Sequence, residues 1–278
     1  MQVTLHTSRT TLLDLAGEAL RRTEAEHALL LGILENPSAD PASELLVSVE
    51  DERGPLGVAL RTPPHNLILS LMPLAAVAPL AEHLREHELP GVVGPRELAR
   101  RFAELHTAST NRTARTLFRQ GLYRLTELVP QPARAAGVLR RATADDLPRV
   151  GPWAVAFARE AKLPAHEIAS IGAQVPRFVA EGGLFVWEHD GEPVAMAALR
   201  GATKNGVRIS YVYTPPEHRA HGYATAAVAE LSASALASGK KFCTLFADRE
   251  NRTSTGIYER LGYCMLHETE VIAFDPSA

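Results

Sequence analysis

Val207-Arg208-Ile209-Ser210-Tyr211-Val212-Tyr213-Thr214-Pro215-Pro216-Glu217-His218-Arg219-Ala220-His221-Gly222-Tyr223-Ala224 passes from an apolar stretch through two prolines to a glycine, and a helical pattern follows to about Gly239. The first part predicts a strand, Val207 to Thr214. It must end at Pro215-Pro216, because neither residue offers an N–H to a neighbouring strand. The helix places Ala224, Val228, Leu231 and Ala235 on one buried stripe. Between strand and helix lies a tight turn at Gly222 where backbone can approach a ligand closely. Amides exposed at a helix N-terminus bind anions, and a diphosphate is the natural guest, with Arg219 and His221 adding positive charge. Gly222 also has a plainer reading, since the turn itself calls for glycine.

Working outward, apolar runs bounded by turn residues predict further strands at Leu184 to Glu188, Pro193 to Leu199, Phe242 to Ala247 and Tyr263 to Phe274. Earlier in the chain the same pattern marks Leu45 to Val49, Leu56 to Leu60, Asn66 to Ser70 and Leu122 to Leu128. Val77, Leu80, Ala81 and Leu84, at i, i+3, i+4 and i+7, predict a helix face. Strands and helices mix in both halves, so the fold class is α/β (α+β). The segment Val129 to Gly137, with its prolines and small residues, interrupts periodic sequence on both sides. It divides the chain into residues 1–130 and 138–278, joined by a linker at 131–137. A length of 278 residues suits two such domains.

The halves resemble each other. Ala59-Leu60-Arg61 recurs as Ala198-Leu199-Arg200, and Asn111-Arg112-Thr113 recurs as Asn251-Arg252-Thr253. The nearly equal offsets suggest a tandem duplication. Continued without a gap, the second match sets Leu117-Phe118 opposite Ile257-Tyr258, and Tyr123 opposite Tyr263.

A formal net charge of -3 gives no broad basic field for nucleic acid or anionic membrane, so neither is expected as a partner. Cys243 and Cys264 are the only cysteines, too few for a disulfide framework, and among the eleven histidines a lone pair at metal-ligand spacing, His83 and His87, does not make a site. No metal is expected. No apolar run approaches the ~18 residues of a membrane span and no signal segment opens the chain, so the expected location is cytoplasmic.

Arg219-Ala220-His221-Gly222-Tyr223-Ala224 resembles the Arg/Gln-x-x-Gly-x-Gly/Ala loop by which GNAT N-acetyltransferases hold the pyrophosphate of acetyl-CoA, and Val212 to Thr214 resembles the approach to it. The resemblance covers residues 138 to 275, and the whole chain resembles tandem GNAT proteins whose N-terminal copy is degenerate. It implies two GNAT-like domains, each a mixed, mostly antiparallel sheet flanked by helices. It further implies acetyl-CoA as co-substrate, held by the backbone of Val212, Tyr213 and Thr214 and by Arg219, Ala220, His221, Gly222, Tyr223, Ala224 and Thr225.

The family's next segment is similar to Asp248 through Tyr263. Carried over, Asn251 contacts the cofactor arm and Tyr258 faces the thioester sulfur as general acid. Each has a plain alternative, Asn251 as a helix cap and Tyr258 as a core residue. The N-terminal half departs from the pattern: Leu71 to Pro79 holds no glycine and no basic residue, and Phe118, aligned with Tyr258, has no hydroxyl.

The implied reaction is direct attack of a small-molecule or peptide amine on the acetyl thioester. No carboxylate interrupts Val207 to Thr214, which leaves the base open among Tyr211, Tyr213, Glu217 and a water chain. In the family the acceptor passes the loop between the first two helices, here holding Phe157, Glu160, Ala161 and Lys162. Glu160 can attract a cationic amine or be an ordinary solvated charge. A noncatalytic acyl-CoA-binding sensor is the alternative function.

Overall fold

The computed structural model describes residues 1–36, 40–110, 112–161, 163 and 165–276. One element order occurs twice. The first pass is β1 (Gln2–Leu5), α1 (Arg9–Arg22), α2 (Ala28–Leu34), β2 (Leu45–Asp51), β3 (Gly54–Arg61), β4 (Leu67–Leu69), α3 (Val77–His83), β5 (Gly91–Pro95), α4 (Arg96–Ser109) and β6 (Arg112–Leu125). The second is β7 (Val138–Arg141), α5 (Leu147–Glu160), α6 (Ala165–Ala180), β8 (Leu184–His189), β9 (Glu192–Arg200), β10 (Gly206–Tyr213), α7 (Tyr223–Ala237), β11 (Phe242–Asp248), α8 (Arg252–Arg260) and β12 (Cys264–Pro276).

The chain forms two compact units that do not coincide with the two passes. One comprises Met1–Leu122 with Leu266–Ala278, the other Tyr123–Met265. The last strand of the chain thus completes the first unit, pairing antiparallel with β5 from Thr269↔Pro95 to Ala273↔Gly91. Tyr123 and Leu125, at the end of β6, are fully buried in the core of the second unit. The segment expected as a linker is also tied down in the second unit: Val129 N–H donates to Leu261 O, and Trp187 Nε1 donates to Ala136 O at 3.0 Å.

Among the described pairings the strands of each unit run antiparallel except at one pair, β4 with β5 in the first and β10 with β11 in the second. In each case a helix makes the crossover that a parallel pair requires. In the first unit Val77, Leu80, Ala81 and Leu84 are all buried, as their helical spacing predicts. Glu270, on β12, is fully buried, with its carboxylate taking hydrogen bonds from Arg100 Nε and Thr116 Oγ1 at 2.7 Å each. Burial opposes ionisation there, yet those bonds and the charge of Arg119 hold the carboxyl below its usual range.

The duplication is visible in β3 and β9, which end on the matching Arg61 and Arg200. The second tripeptide match is not structural. Asn111 lies outside the described residues, and Arg112 and Thr113 open strand β6, whereas Asn251 caps helix α8. By element order the counterpart of Asn251 is Pro95, which precedes α4. Seven residues beyond these caps lie Tyr258 and Phe102, so the fully buried Phe102, not Phe118, takes the place of Tyr258. Three matching residues cannot fix a register when an intervening helix differs in length, and α4 is 14 residues against 9 for α8.

Candidate active site

Strand β10 carries the main irregularity. Against β9 its register runs Arg208↔Arg200, Ile209↔Leu199 and Ser210↔Ala198, then jumps to Tyr213↔Met196, with Tyr211 at φ 53°. Tyr211 and Val212 together oppose one residue, which is a β-bulge. The extra residue reverses the alternation: Val207 and Ile209 pack with Val228 and Leu231 of α7, while Tyr211 and Tyr213 pack with Val150 of α5 and Phe178 of α6. Against β11 the parallel pairing covers Gly206–Arg208 with Phe242–Thr244 and stops. Beyond Arg208 no further pairing of β10 with β11 is seen among the described residues, so the two strands part before Val212 and Tyr213. Three hydroxyls here, Ser210 Oγ, Thr214 Oγ1 and Thr244 Oγ1, are buried without a hydrogen bond. Such groups cost stability unless something bonds to them.

After β10, Pro216–His218 forms one turn of 3-10 helix. Ala220 at φ 65° and Gly222 at φ 79° then adopt the left-handed conformation, and α7 starts at once. The first internal bond of α7 runs from Ala226 N–H to Gly222 O at 3.0 Å. The N–H groups of Tyr223, Ala224 and Thr225 therefore lack helical acceptors. Gly222 is exposed, and a β-carbon there would meet only Ala135 at 3.8 Å, so conformation rather than space calls for glycine.

The structure brings Glu160, Tyr213 and Arg219 together. Arg219 Nη2 donates to both Glu160 oxygens at 2.8 Å, its Nε donates to Thr214 O at 2.9 Å, and Tyr213 OH donates to Glu160 at 3.1 Å. The Glu160 carboxylate is thus paired with a cation, not held free for an incoming one. Burial, then the bond to Glu160, raises the Tyr213 phenol above its ordinary pKa, which makes it a hydrogen-bond donor and a poor base. Glu217 is exposed. Lys162 lies outside the described residues.

His221 is exposed and stacks on Tyr223 at 5.5 Å between centroids. The Tyr223 ring is buried with Trp187 and Val194, while its backbone N–H lies in the first turn of α7. Asn251 caps α8: its side-chain oxygen accepts from Ser254 N–H at 3.0 Å, which leaves the amide N–H groups for other partners. Tyr258 on α8 is 7% exposed, edge-on to Tyr263 at 5.9 Å, and burial alone pushes its phenol up, keeping it protonated.

Sequence reasoning passed over Ser210, Thr244, Arg200, Arg208 and Phe178. Only Arg208 left a signal, as a charge within an apolar strand. Among the described residues no group of three His, Cys, Asp or Glu side chains is placed to hold a metal, and no helix is long and apolar enough to cross a membrane.

The family profile described as Acetyltransferase (GNAT) family matches residues 150–263. No curated protein matches the chain. Solved structures match along nearly its whole length. A Drosophila protein is 15% identical with a TM-score of 0.67, covering 99% of both chains. A GCN5-related N-acetyltransferase from Kribbella flavida is 18% identical with a TM-score of 0.59, covering 92% of this chain and 95% of its own. A tandem GNAT protein from the clavulanic acid biosynthesis pathway is 11% identical with a TM-score of 0.50, covering 100% of this chain and 98% of its own. At these identities the likeness is one of fold, and the fold is the tandem GNAT arrangement.

Proposed function

We propose that this chain is an acyltransferase acting through its second unit, where residues 150–263 match the GNAT acetyltransferase family, and that it moves the acetyl group of acetyl-CoA to a primary amine of a small molecule or protein by direct attack. The observation that carries this reading is the parting of β10 from β11 beyond Arg208, bounded by the left-handed turn at Gly222 and by Tyr258. The residues fit the co-substrate. Unpaired amides of Tyr223, Ala224 and Thr225, with Arg219 beside them, suit a diphosphate. The open backbone of Val212 to Thr214 suits an amide-bearing arm, and the three orphan hydroxyls await polar partners.

Acetyl-CoA supplies the activated acyl group. The chain's own residues would hold it by the loop and point a backbone N–H near Val212 to Thr214 at the carbonyl oxygen. The amine nitrogen forms the new C–N bond as the C–S bond breaks. Tyr258 would give its proton to the departing sulfur and be restored by the proton that the amine sheds. A noncatalytic acyl-CoA sensor is the second reading, favoured by the lack of a carboxylate on β10. A thiol-release assay with acetyl-CoA over a panel of primary amines separates the two. Turnover with at least one amine is expected; binding without turnover of any would support the sensor.

A further inference from the structure

On the side of β9 and β10 that looks toward α5 and α6 stand two arginines, Arg200 and Arg208, with no carboxylate paired to either among the described residues. Arg200, the last residue of β9, is directly paired with Arg208 across the strands. Arg200 lies 4.1 Å above the ring of Phe178, and its hydrogen bond goes to Tyr211 OH at a long 3.5 Å. Arg208 sets its guanidinium beside Gly201, within 4.0 Å of where a β-carbon would stand. Neither forms an ion pair among the described residues. Glu181, the acid whose field reaches Arg200, is already bonded to Arg177 at 2.6 Å. Burial, then the like charge of Arg200, brings Arg208 down to about 10, so it remains a cation at neutral pH. Both residues are partly exposed, so a solute can reach them.

Elsewhere in this unit arginines near strands find carboxylates: Arg140 holds Asp146 and Glu188, and Arg219 holds Glu160. A pair of enclosed like charges is unfavourable unless an anion joins them. Ser210, two residues beyond Arg208 on the same face, adds a buried hydroxyl without a partner. Tyr211 and Phe157, 5.5 Å apart between ring centroids, form an apolar wall beside it. This run of groups leads from the arginine pair to the bulge.

We infer that the acceptor is an amine that also carries a carboxylate, with the carboxylate on Arg200 and Arg208 and the amine directed along Ser210 toward the bulge. The inference rests on the proposed acetyl transfer and adds the substrate class. A guanidinium pair matches a planar carboxylate through forked N–H donors, which a neutral amine cannot use.

The test compares matched amines with and without the carboxylate at several spacings: phenylalanine with phenethylamine, lysine with cadaverine, and γ-aminobutyrate with butylamine. The expected result is a kcat/KM at least tenfold higher for the carboxylated member of one or more pairs. In Arg200→Gln and Arg208→Gln that ratio should fall to threefold or less, and Arg208→Lys should keep part of it. Removing an unpaired enclosed cation should hold or raise Tm, so a stable Arg208→Gln protein with lost preference identifies anion recognition and not unfolding. Carboxylate-free members turned over equally well in every pair, or variants that lower both members in proportion, would overturn the inference while leaving acetyl transfer intact. No turnover of any amine would instead overturn the proposed function, and this inference with it.

Discussion

Removing one oxygen from Tyr258 separates chemistry from packing. The ring is 7% exposed, packs edge-on to Tyr263 and lies among Val228, Leu231 and Leu261 of the core. Burial is the sole cause of its raised pKa, with no protein hydrogen bond contributing. Tyr258→Phe therefore forfeits none of the roughly 0.5–1.5 kcal/mol that an intramolecular bond contributes. Tm should move by less than about 2 °C, since ~1 kcal/mol shifts a chain of this size by about 2–4 °C. Loss of a positioned acid costs on the order of 10² to 10⁴ in rate, or about 2.7 to 5.5 kcal/mol of barrier. The assay is kcat at saturating acetyl-CoA with an accepted amine, with cofactor affinity measured separately. A fall of less than about threefold, with chemistry limiting, would refute the acid role and leave thiolate protonation to water.

Glu160→Gln should tighten acetyl-CoA binding by up to about fivefold, because the half-exposed pair with Arg219 is of the kind that contributes up to ~1 kcal/mol and would compete with a diphosphate for the same guanidinium; weaker binding, by calorimetry, would contradict this. Glu270 has a depressed folded pKa, so its contribution is present above the unfolded carboxyl value of about 4.3 and is lost as pH falls through the lower folded value. Urea unfolding from pH 7 to pH 3 should therefore show a smaller acid-induced loss in Glu270→Gln than in the parent, and parallel losses would refute the assignment. Residues 138–278 expressed alone would lack Tyr123 and Leu125, both fully buried in the second unit. Since deleting such side chains costs about 2–5 kcal/mol each, this fragment should be insoluble or unfold at far lower urea than the full chain, and equal stability would count against the division into units.

What could be read in advance depended on how locally each feature is encoded. The strands Leu184–His189 and Phe242–Asp248 announce themselves as apolar runs between glycine or charged turns, and both lie where expected. Strand β6 does not: its first half is exposed and rich in arginine and threonine, so only Leu122–Leu125 of the expected Leu122 to Leu128 is strand, and the element begins ten residues earlier. The four residues of β1, and the four of β7, are too few for periodicity to decide. The placement of β12 in the first unit rests on pairing between residues more than 170 apart, to which no local pattern speaks.

The left-handed turn at Gly222 was legible because strand, glycine and helix are contiguous. The Phe118 comparison failed because it was read from a tripeptide instead of from element order, although Phe102, which takes its place, likewise lacks a hydroxyl. The arginine pair and the orphan hydroxyls converge from β9, β10 and β11, and the parity change at Tyr211 decides which face they share. Alternation alone would have put Ser210 and Tyr211 on opposite faces.

The central claim is a single phosphate-ready turn, in the second unit. The first unit has Leu74–Ala76 in its place, followed by a helix whose cap is Ala76, with neither glycine nor a basic residue from Leu71 to Pro79. Titration calorimetry of the full chain and of Gly222→Val with acetyl-CoA tests this directly. A β-branched residue held at φ 79° costs roughly 1–2 kcal/mol, and distortion to avoid that cost would turn the amides away from the diphosphate. The account predicts one site per chain and a Kd at least tenfold weaker in the variant, about 1.4 kcal/mol. Two equivalent sites, or an unchanged Kd in Gly222→Val, would contradict it.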